Sequence, residues 1–248
     1  MRPALLPNHP RQFPPVERAD EDGLLAVGGD LHPDTLKLAY ASGVFPWYNP
    51  GWPILWWSPD PRCIIDPARF EPSRSLRKRL RGGEYTLTVD QCFTEVMRRC
   101  AAPRAYADST WINSEMIDSY AVLHRAGIAH SIETWNASGD LVGGLYGLNL
   151  GRLFFGESMF STATDASKVA FAFLMHLGRH WNFPLVDCQL PNDHLMSLGA
   201  CTIPRADFMT ILAEQRGLPS PDWRSVQAMK HSTPFGNSAM LDPKESPR

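Results

Sequence analysis

Three consecutive β-rich runs, Ile128 to Trp135, Leu141 to Asn149 and Leu153 to Met159, constrain the fold of this chain more than any other feature. Turn residues at Asn136 to Asp140 and at Gly151 separate them, the pattern of an antiparallel meander. Asp165 is then expected to cap the strongest helix in the chain. In it Ala170, Phe173, Leu174, Leu177 and Trp181 recur at i, i+3, i+4, i+7 and i+11, on one apolar face. A strand at Leu185 to Cys188 and helices near 191–198 and 204–216 complete this half.

Upstream, Cys63 to Asp66 and Tyr85 to Val89 read as strands. Ser73 is suited to cap a helix over 74–82 that Gly82-Gly83 ends. Asp90 is expected to cap a helix running to Ala101, and Asn113 to Arg125 forms another, stopped by Gly127. Residues 1–32 are rich in Pro and Gly and predict irregular chain around Gly28-Gly29-Asp30, before a short helix from Pro33 to Ser42. Phe45 to Pro61 holds four of the eight tryptophans and five prolines, which bar a long helix. The predicted class is α+β: a small N-terminal α+β domain over 1–62 and a larger domain over 63–222 on a mostly antiparallel sheet. A polar, Pro-containing tail over 223–248 is expected to be disordered.

At 248 residues, 44% hydrophobic and 20% charged, the chain has a globular composition. Its longest apolar run, Val169 to Met175, is far too short to span a membrane. No secretory signal is evident. The five cysteines form no CxxC pair and read as buried thiols in a reducing cytosol. The net charge of −2 hides an imbalance: residues 62–104 carry ten Arg or Lys against five Asp or Glu. Such local basicity suits an anionic partner touched at one place.

The basic stretch places Arg74, Arg77, Lys78 and Arg81 on one helical face and Leu76 and Leu80 on the other. Four cations so arranged suit a phosphate backbone, although an exposed basic face is commonly only a solvated surface. The tryptophan-rich loop can plug a core or wall an apolar slot. Asp187 and Gln189 are two apart on a strand, which predicts a shared face with Cys188 on the other. A carboxylate beside an amide can orient and deprotonate an amine, and can equally cap the next turn. Glu157 is a charge inside the apolar run Phe154-Phe155-Gly156-Glu157-Ser158-Met159, and a positively charged substrate group is its natural partner. The histidines lack metal-ligand spacing. There is no GxSxG elbow, Walker loop or GxGxxG before a helix.

Several blocks, taken in order over about residues 20–205, resemble the leucyl/phenylalanyl-tRNA–protein transferases. They include GLLAVGGDL from Gly23, GVFPW from Gly43, ILWWSPDPR from Ile54, TWI from Thr110, HSIE from His130 and GGLYG from Gly143. FGESMFS from Phe155, ASK from Ala166, VDCQLPNDH from Val186 and SLGA from Ser197 complete the set. The resemblance implies an acetyltransferase-like (GNAT-type) larger domain without coenzyme A. It implies a cytoplasmic bacterial enzyme that moves Leu or Phe, Met less well, from aminoacyl-tRNA to an N-terminal Arg or Lys of a protein, marking it for N-end-rule degradation. Neither metal nor ATP is implied, since an ester is already activated. A monomer without membrane association is expected.

By that resemblance Asp187 polarises Gln189 at the attacking amine and Glu157 holds the cationic acceptor. Trp47, Trp111, Leu145, Phe154, Met159, Leu174 and Val186, with Ser161 nearby, would form the aminoacyl pocket, and Arg74, Arg77, Lys78 and Arg81 would meet the tRNA acceptor stem. Leu145 and Val186 stand where the family pattern leads us to expect methionine and isoleucine. Two rivals are a coenzyme A-dependent N-acetyltransferase and a non-catalytic RNA-binding module. The first needs a Gly-containing pyrophosphate loop, and Phe160 to Asp165 supplies none.

Overall fold

The computed structural model describes residues 2–102, 111–227 and 231–232. Thr110 of the Thr110-Trp111-Ile112 block and residues 233–248 of the expected tail lie outside them. A four-stranded sheet comes from the first part of the chain: β1 (Ala4–Leu6), β2 (Leu24–Gly28), β3 (Phe45–Pro46) and β4 (Leu55–Trp57), in the order β1-β2-β4-β3. It is flanked by α1 (Pro33–Ala41), with Pro33 at its first position. Residues 1–32 are therefore less irregular than composition predicts. β1 pairs parallel with β2, and the Trp56 indole, fully buried, donates to the Gly28 carbonyl at 2.8 Å. Long-range pairing overrides the local Pro and Gly content here.

The larger sheet has eight strands: β5 (Arg62–Ile65), β6 (Thr86–Val89), β7 (Ala129–Trp135), β8 (Leu141–Leu150), β9 (Leu153–Ser161), β10 (Val186–Gln189), β11 (Cys201–Ile203) and β12 (His231–Ser232). Their order is β11-β5-β10-β9-β8-β7-β6-β12. Among the described residues all neighbours are antiparallel except β9 and β10. The helices are α2 (Arg74–Gly82), α3 (Phe93–Ala101), α4 (Ser114–Arg125), α5 (Ala166–His180), α6 (Asp193–Ser197), α7 (Arg205–Gln215) and α8 (Arg224–Gln227).

This sheet is covered on both faces. On one, Leu145, Phe154 and Val186 pack with Leu76 and Leu80 of α2 and with α5. On the other, Tyr146, Leu148 and Phe155 pack with α1, α3, α4 and α7, and the same cluster takes in Leu25 and Trp56 of the smaller sheet. The chain passes from one sheet to the other between Trp57 and Arg62, yet the apolar core is shared. α5 is more enclosed than a single stripe predicts, since every residue from Val169 to Met175 is buried. Gly143 allows its first turn to approach: a Cβ there would lie 2.6 Å from Ala166 Cβ.

Ser73 caps α2 as its spacing predicts, accepting from the Leu76 amide at 3.2 Å, and Leu76 and Leu80 face inward. Two aspartates do otherwise. Asp90 has φ 57° and precedes α3 without capping it, because its carboxylate serves His130 and the Ser131 amide. Asp165 occupies the N-cap position of α5 with no capping hydrogen bond, and its carboxylate turns to Lys168. The expected tail also starts too early in the sequence reading. Trp223 is buried in the core, α8 follows it, and β12 pairs with β6 on the sheet's edge. Of the cysteines, Cys63, Cys100 and Cys188 are buried, whereas Cys201 is exposed on β11.

Candidate active site

The parallel pair is where the sheet opens. β10 matches β9 only at Val186 with Phe154 and Asp187 with Phe155, while β9 runs on to Ser161. Between the diverging strands lies a cavity of about 1420 Å³, whose wall includes residues 156–161 of β9 and Cys188, Gln189 and Leu190. Two irregularities aim side chains at it. In β9 the register against β8 shifts between Tyr146 and Gly147, so that Glu157 is an extra residue opposite that step. In β10 the register against β5 shifts between Asp187 and Gln189, and Gln189 takes φ 59°.

This second bulge corrects the expected alternation. Asp187 and Gln189 do not share a face: Asp187 is fully buried and takes no part in the cavity wall, whereas Cys188 and Gln189 both line it. Arg62 holds the Asp187 carboxylate with two bonds, Nε to Oδ1 at 2.8 Å and Nη2 to Oδ2 at 2.7 Å. Both side chains have no exposed surface. The guanidinium also donates to the Gly43 carbonyl at 3.2 Å and lies over the rings of Phe45 and Phe208. Asp187 Oδ1 accepts the Gln189 backbone amide at 3.0 Å. Asp187 therefore meets Gln189 at its main chain. Among the described residues the buried Gln189 side-chain Nε2 has no hydrogen-bond partner.

On β9, Glu157 is bound from the helix side. The Tyr120 hydroxyl donates to Oε2 at 3.3 Å and is itself 2.5 Å from the Tyr40 hydroxyl, while the buried Oε1 has no partner among the described residues. Burial pushes the Glu157 carboxyl up to about 8 against the pull of the Tyr40 hydroxyl, and the Asp187 charge raises it further. Burial also holds both tyrosine hydroxyls well above their ordinary range.

Leu145, Met159, Leu174 and Val186 are apolar residues of the same cavity wall, which also includes Ser161, Trp47 and Trp111. Trp47 is 43% exposed and packs on the Trp57 ring at 5.8 Å. Phe154 is the exception among the expected pocket residues: it is fully buried outside the wall, against Trp223. Sequence reasoning did not single out Arg62, Tyr40 or Tyr120. The one available signal for Arg62 was an arginine opening an apolar strand, where an unpaired charge is untenable.

Away from the cavity Arg74, Arg77, Lys78 and Arg81 are exposed and, among the described residues, none is paired with a carboxylate. Arg79, one position off that face, pairs with Glu84. No group of three or more His, Cys, Asp or Glu among the described residues is placed to hold a metal ion. No helix among them is long and apolar enough to cross a membrane.

A family model described as leucyl/phenylalanyl-tRNA protein transferase matches residues 64–213, and one for that transferase's N-terminal domain matches residues 29–60. A leucyl/phenylalanyl-tRNA–protein transferase of Stutzerimonas stutzeri is 56% identical over 216 residues, 86% of this chain and 95% of that one. The protein of the same name in Nitrosomonas europaea is 54% identical over 212 residues, 84% of this chain and 88% of its own. A solved structure of L-PGS from Bacillus licheniformis aligns with a TM-score of 0.38 at 14% identity, over 68% of this chain and 54% of that one, too slight a likeness to carry an argument.

Two expectations follow from the geometry. Arg62→Met leaves a buried carboxylate unpaired and should cost about 3–5 kcal/mol in urea denaturation, most of it regained when Asp187→Leu is added. A loss under 1 kcal/mol in the single variant would contradict the pairing. For Glu157 the folded chain binds the proton more tightly than the unfolded one. Its contribution to stability is therefore complete below the ordinary value of 4.5 and is lost as pH rises through about 8. Glu157→Gln should flatten the stability profile across that window, and parallel profiles would refute the assignment.

Proposed function

The chain belongs to the leucyl/phenylalanyl-tRNA–protein transferase family, and from that premise we propose that its cavity seats the aminoacyl ester of Leu-tRNA or Phe-tRNA beside the N-terminal amine of an acceptor protein. As a member it is an enzyme, an aminoacyltransferase whose substrates are an aminoacyl-tRNA and a protein. The observation that carries the finer reading is a pair of buried polar atoms, Glu157 Oε1 and Gln189 Nε2, that have no partner among the described residues and belong to residues lining the same cavity. Buried groups of this kind are rarely left without a partner, and here substrate can supply it.

In this reading the apolar recess at Leu145, Met159, Leu174 and Val186, with Trp47, Trp111 and Ser161 around it, takes the leucyl or phenylalanyl side chain. An N-terminal Arg or Lys enters on the Tyr120 side and meets Glu157. A cation there favours the carboxylate, so acceptor binding near neutral pH displaces the proton that burial keeps on Glu157. The neutral α-amine attacks the ester carbonyl, forming the amide C–N bond, while the bond to the ribose oxygen breaks. The amine gives up a proton and the departing ribose hydroxyl gains one. The Gln189 amide, held by Asp187 through its own backbone, accepts from the amine or donates to the oxyanion, a role of positioning and electrostatic stabilisation.

Nothing in the step calls for metal, ATP or coenzyme A, because the ester supplies the driving force. The parting of parallel strands β9 and β10 supports an acetyltransferase-like (GNAT-type) larger domain whose gap holds the aminoacyl ester. The exposed face of Arg74, Arg77, Lys78 and Arg81 would lie along acceptor-stem phosphates. The product, a protein with N-terminal Leu or Phe, is then a substrate of N-end-rule degradation, and we place the enzyme in the cytoplasm as a monomer.

Purified protein with labelled Leu-tRNA should label an Arg-initiated peptide and leave its Glu-initiated counterpart unlabelled; equal labelling of both would overturn the acceptor assignment. Replacing Arg77, Lys78 and Arg81 by Ala should weaken tRNA binding and reduce the slope of log affinity against log salt by about 2–3. An unaltered slope would assign that helix face to solvent.

A further inference from the structure

We propose that Trp223, which lies beyond the family match ending at residue 213, is a positioning residue that fixes the depth of the donor pocket from behind and so tunes discrimination between donor side chains. The inference rests on the donor-pocket reading above.

Trp223 is 4% exposed, although no other residue from Pro219 to Gln227 is buried. Its ring is held on three sides: stacked on His130 at 4.1 Å and 8°, edge-on to Trp181 at 4.7 Å, and tilted against Phe154 at 5.7 Å. The indole N–H donates to Asn149 Oδ1 at 3.0 Å. That amide is itself fixed, its Nδ2 donating to the Gly151 and Leu153 carbonyls. Four residues on, Gln227 donates to Asp90 Oδ2 at 2.5 Å, and the same oxygen lies 2.8 Å from His130 Nδ1. The segment is thus tied to the ring on which its tryptophan stacks.

Phe154 relays this to the pocket. It is paired in register with Val186, whose side chain lines the cavity. On β8 its ring fills the space that a side chain at Gly147 would need, since a Cβ there would fall 2.5 Å from Phe154 Cε1. Leu145, two residues earlier on the same strand, lines the cavity too. Phe154 is therefore wedged between Gly147, Val186 and Trp223, and among these Trp223 is the part that comes from outside the sheet. Removing it opens space behind Phe154, lets the ring and Val186 withdraw, and deepens the recess. A deeper recess favours the bulkier donor.

The test measures kcat and KM for Leu-tRNA and Phe-tRNA, with one Arg-initiated peptide, in the full chain and in Trp223→Ala, Trp223→Phe and Leu145→Ala. Trp223→Ala should raise the ratio of kcat/KM for Phe over Leu about fivefold, a size typical of coupling through packed side chains. The change should fall in the donor KM with the peptide KM unmoved, and Trp223→Phe should restore most of the original ratio. If Trp223→Ala fails to fold, Trp223→Phe alone should still move the ratio about twofold in the same direction. A ratio unchanged in the Trp223 variants, or equal losses with both donors, while Leu145→Ala shifts it, overturns the inference alone. A ratio that Leu145→Ala also leaves unchanged overturns the donor-pocket reading and the inference with it.

Discussion

The structure turns on one buried ion pair, Arg62 with Asp187. It joins residues 125 apart on adjacent strands near one edge of the larger sheet and draws in two further regions, the chain after α1 through the Gly43 carbonyl and α7 through the Phe208 ring. Two charges without solvent are costly to bury, and an apolar pair of similar volume would often be at least as stable. What the pair gives in return here is geometry. A bidentate arginine fixes the plane of the carboxylate, the carboxylate fixes the Gln189 amide, and Gln189 can then hold a backbone conformation that few side chains adopt.

The same pair stands beside a second carboxylate whose state burial decides. Asp187 and Glu157 are near enough for the charge of one to raise the pKa of the other, and they resolve the conflict differently. Asp187 is matched by a guanidinium. Among the described residues Glu157 is hydrogen-bonded to tyrosine hydroxyls, burial prevails, and it keeps a proton into the neutral range. One carboxylate is thereby tied to an arginine, while the other, held by hydroxyls, keeps its proton.

Much of the scaffold was legible because its signals are local. Turn residues delimit the meander, Ser73 is followed by a helical stretch with leucines on one side, and the apolar spacing after Asp165 extends over several turns. The site was less legible, because it is built from exceptions to periodicity. Alternation along Val186 to Gln189 predicts a shared face for Asp187 and Gln189, and one extra residue in the strand cancels it. The bulge at Glu157 leaves no mark in composition. The partners of Asp90 and Asp165 come from tertiary contacts that compete with helix capping, and Trp223 is a lone aromatic in a polar stretch, indistinguishable by composition from a loose tail. Phe154 reads as a pocket residue, yet the structure sets it one layer behind the wall.

The parallel pairing of β9 and β10 has a consequence for synthesis of the chain. The meander and α5 can assemble as soon as they leave the ribosome, but β9 then presents an unpaired edge, and the partner of Arg62 has not yet been made. β10 must be inserted between β9 and β5, a closure across more than a hundred residues that is entropically late. Until that insertion the nascent chain carries an open sheet edge and an uncompensated arginine, a state suited to capture by other chains. The final strand to enter the middle of the sheet is also the one that carries Gln189, so the molecule acquires its cavity only when its sheet is closed.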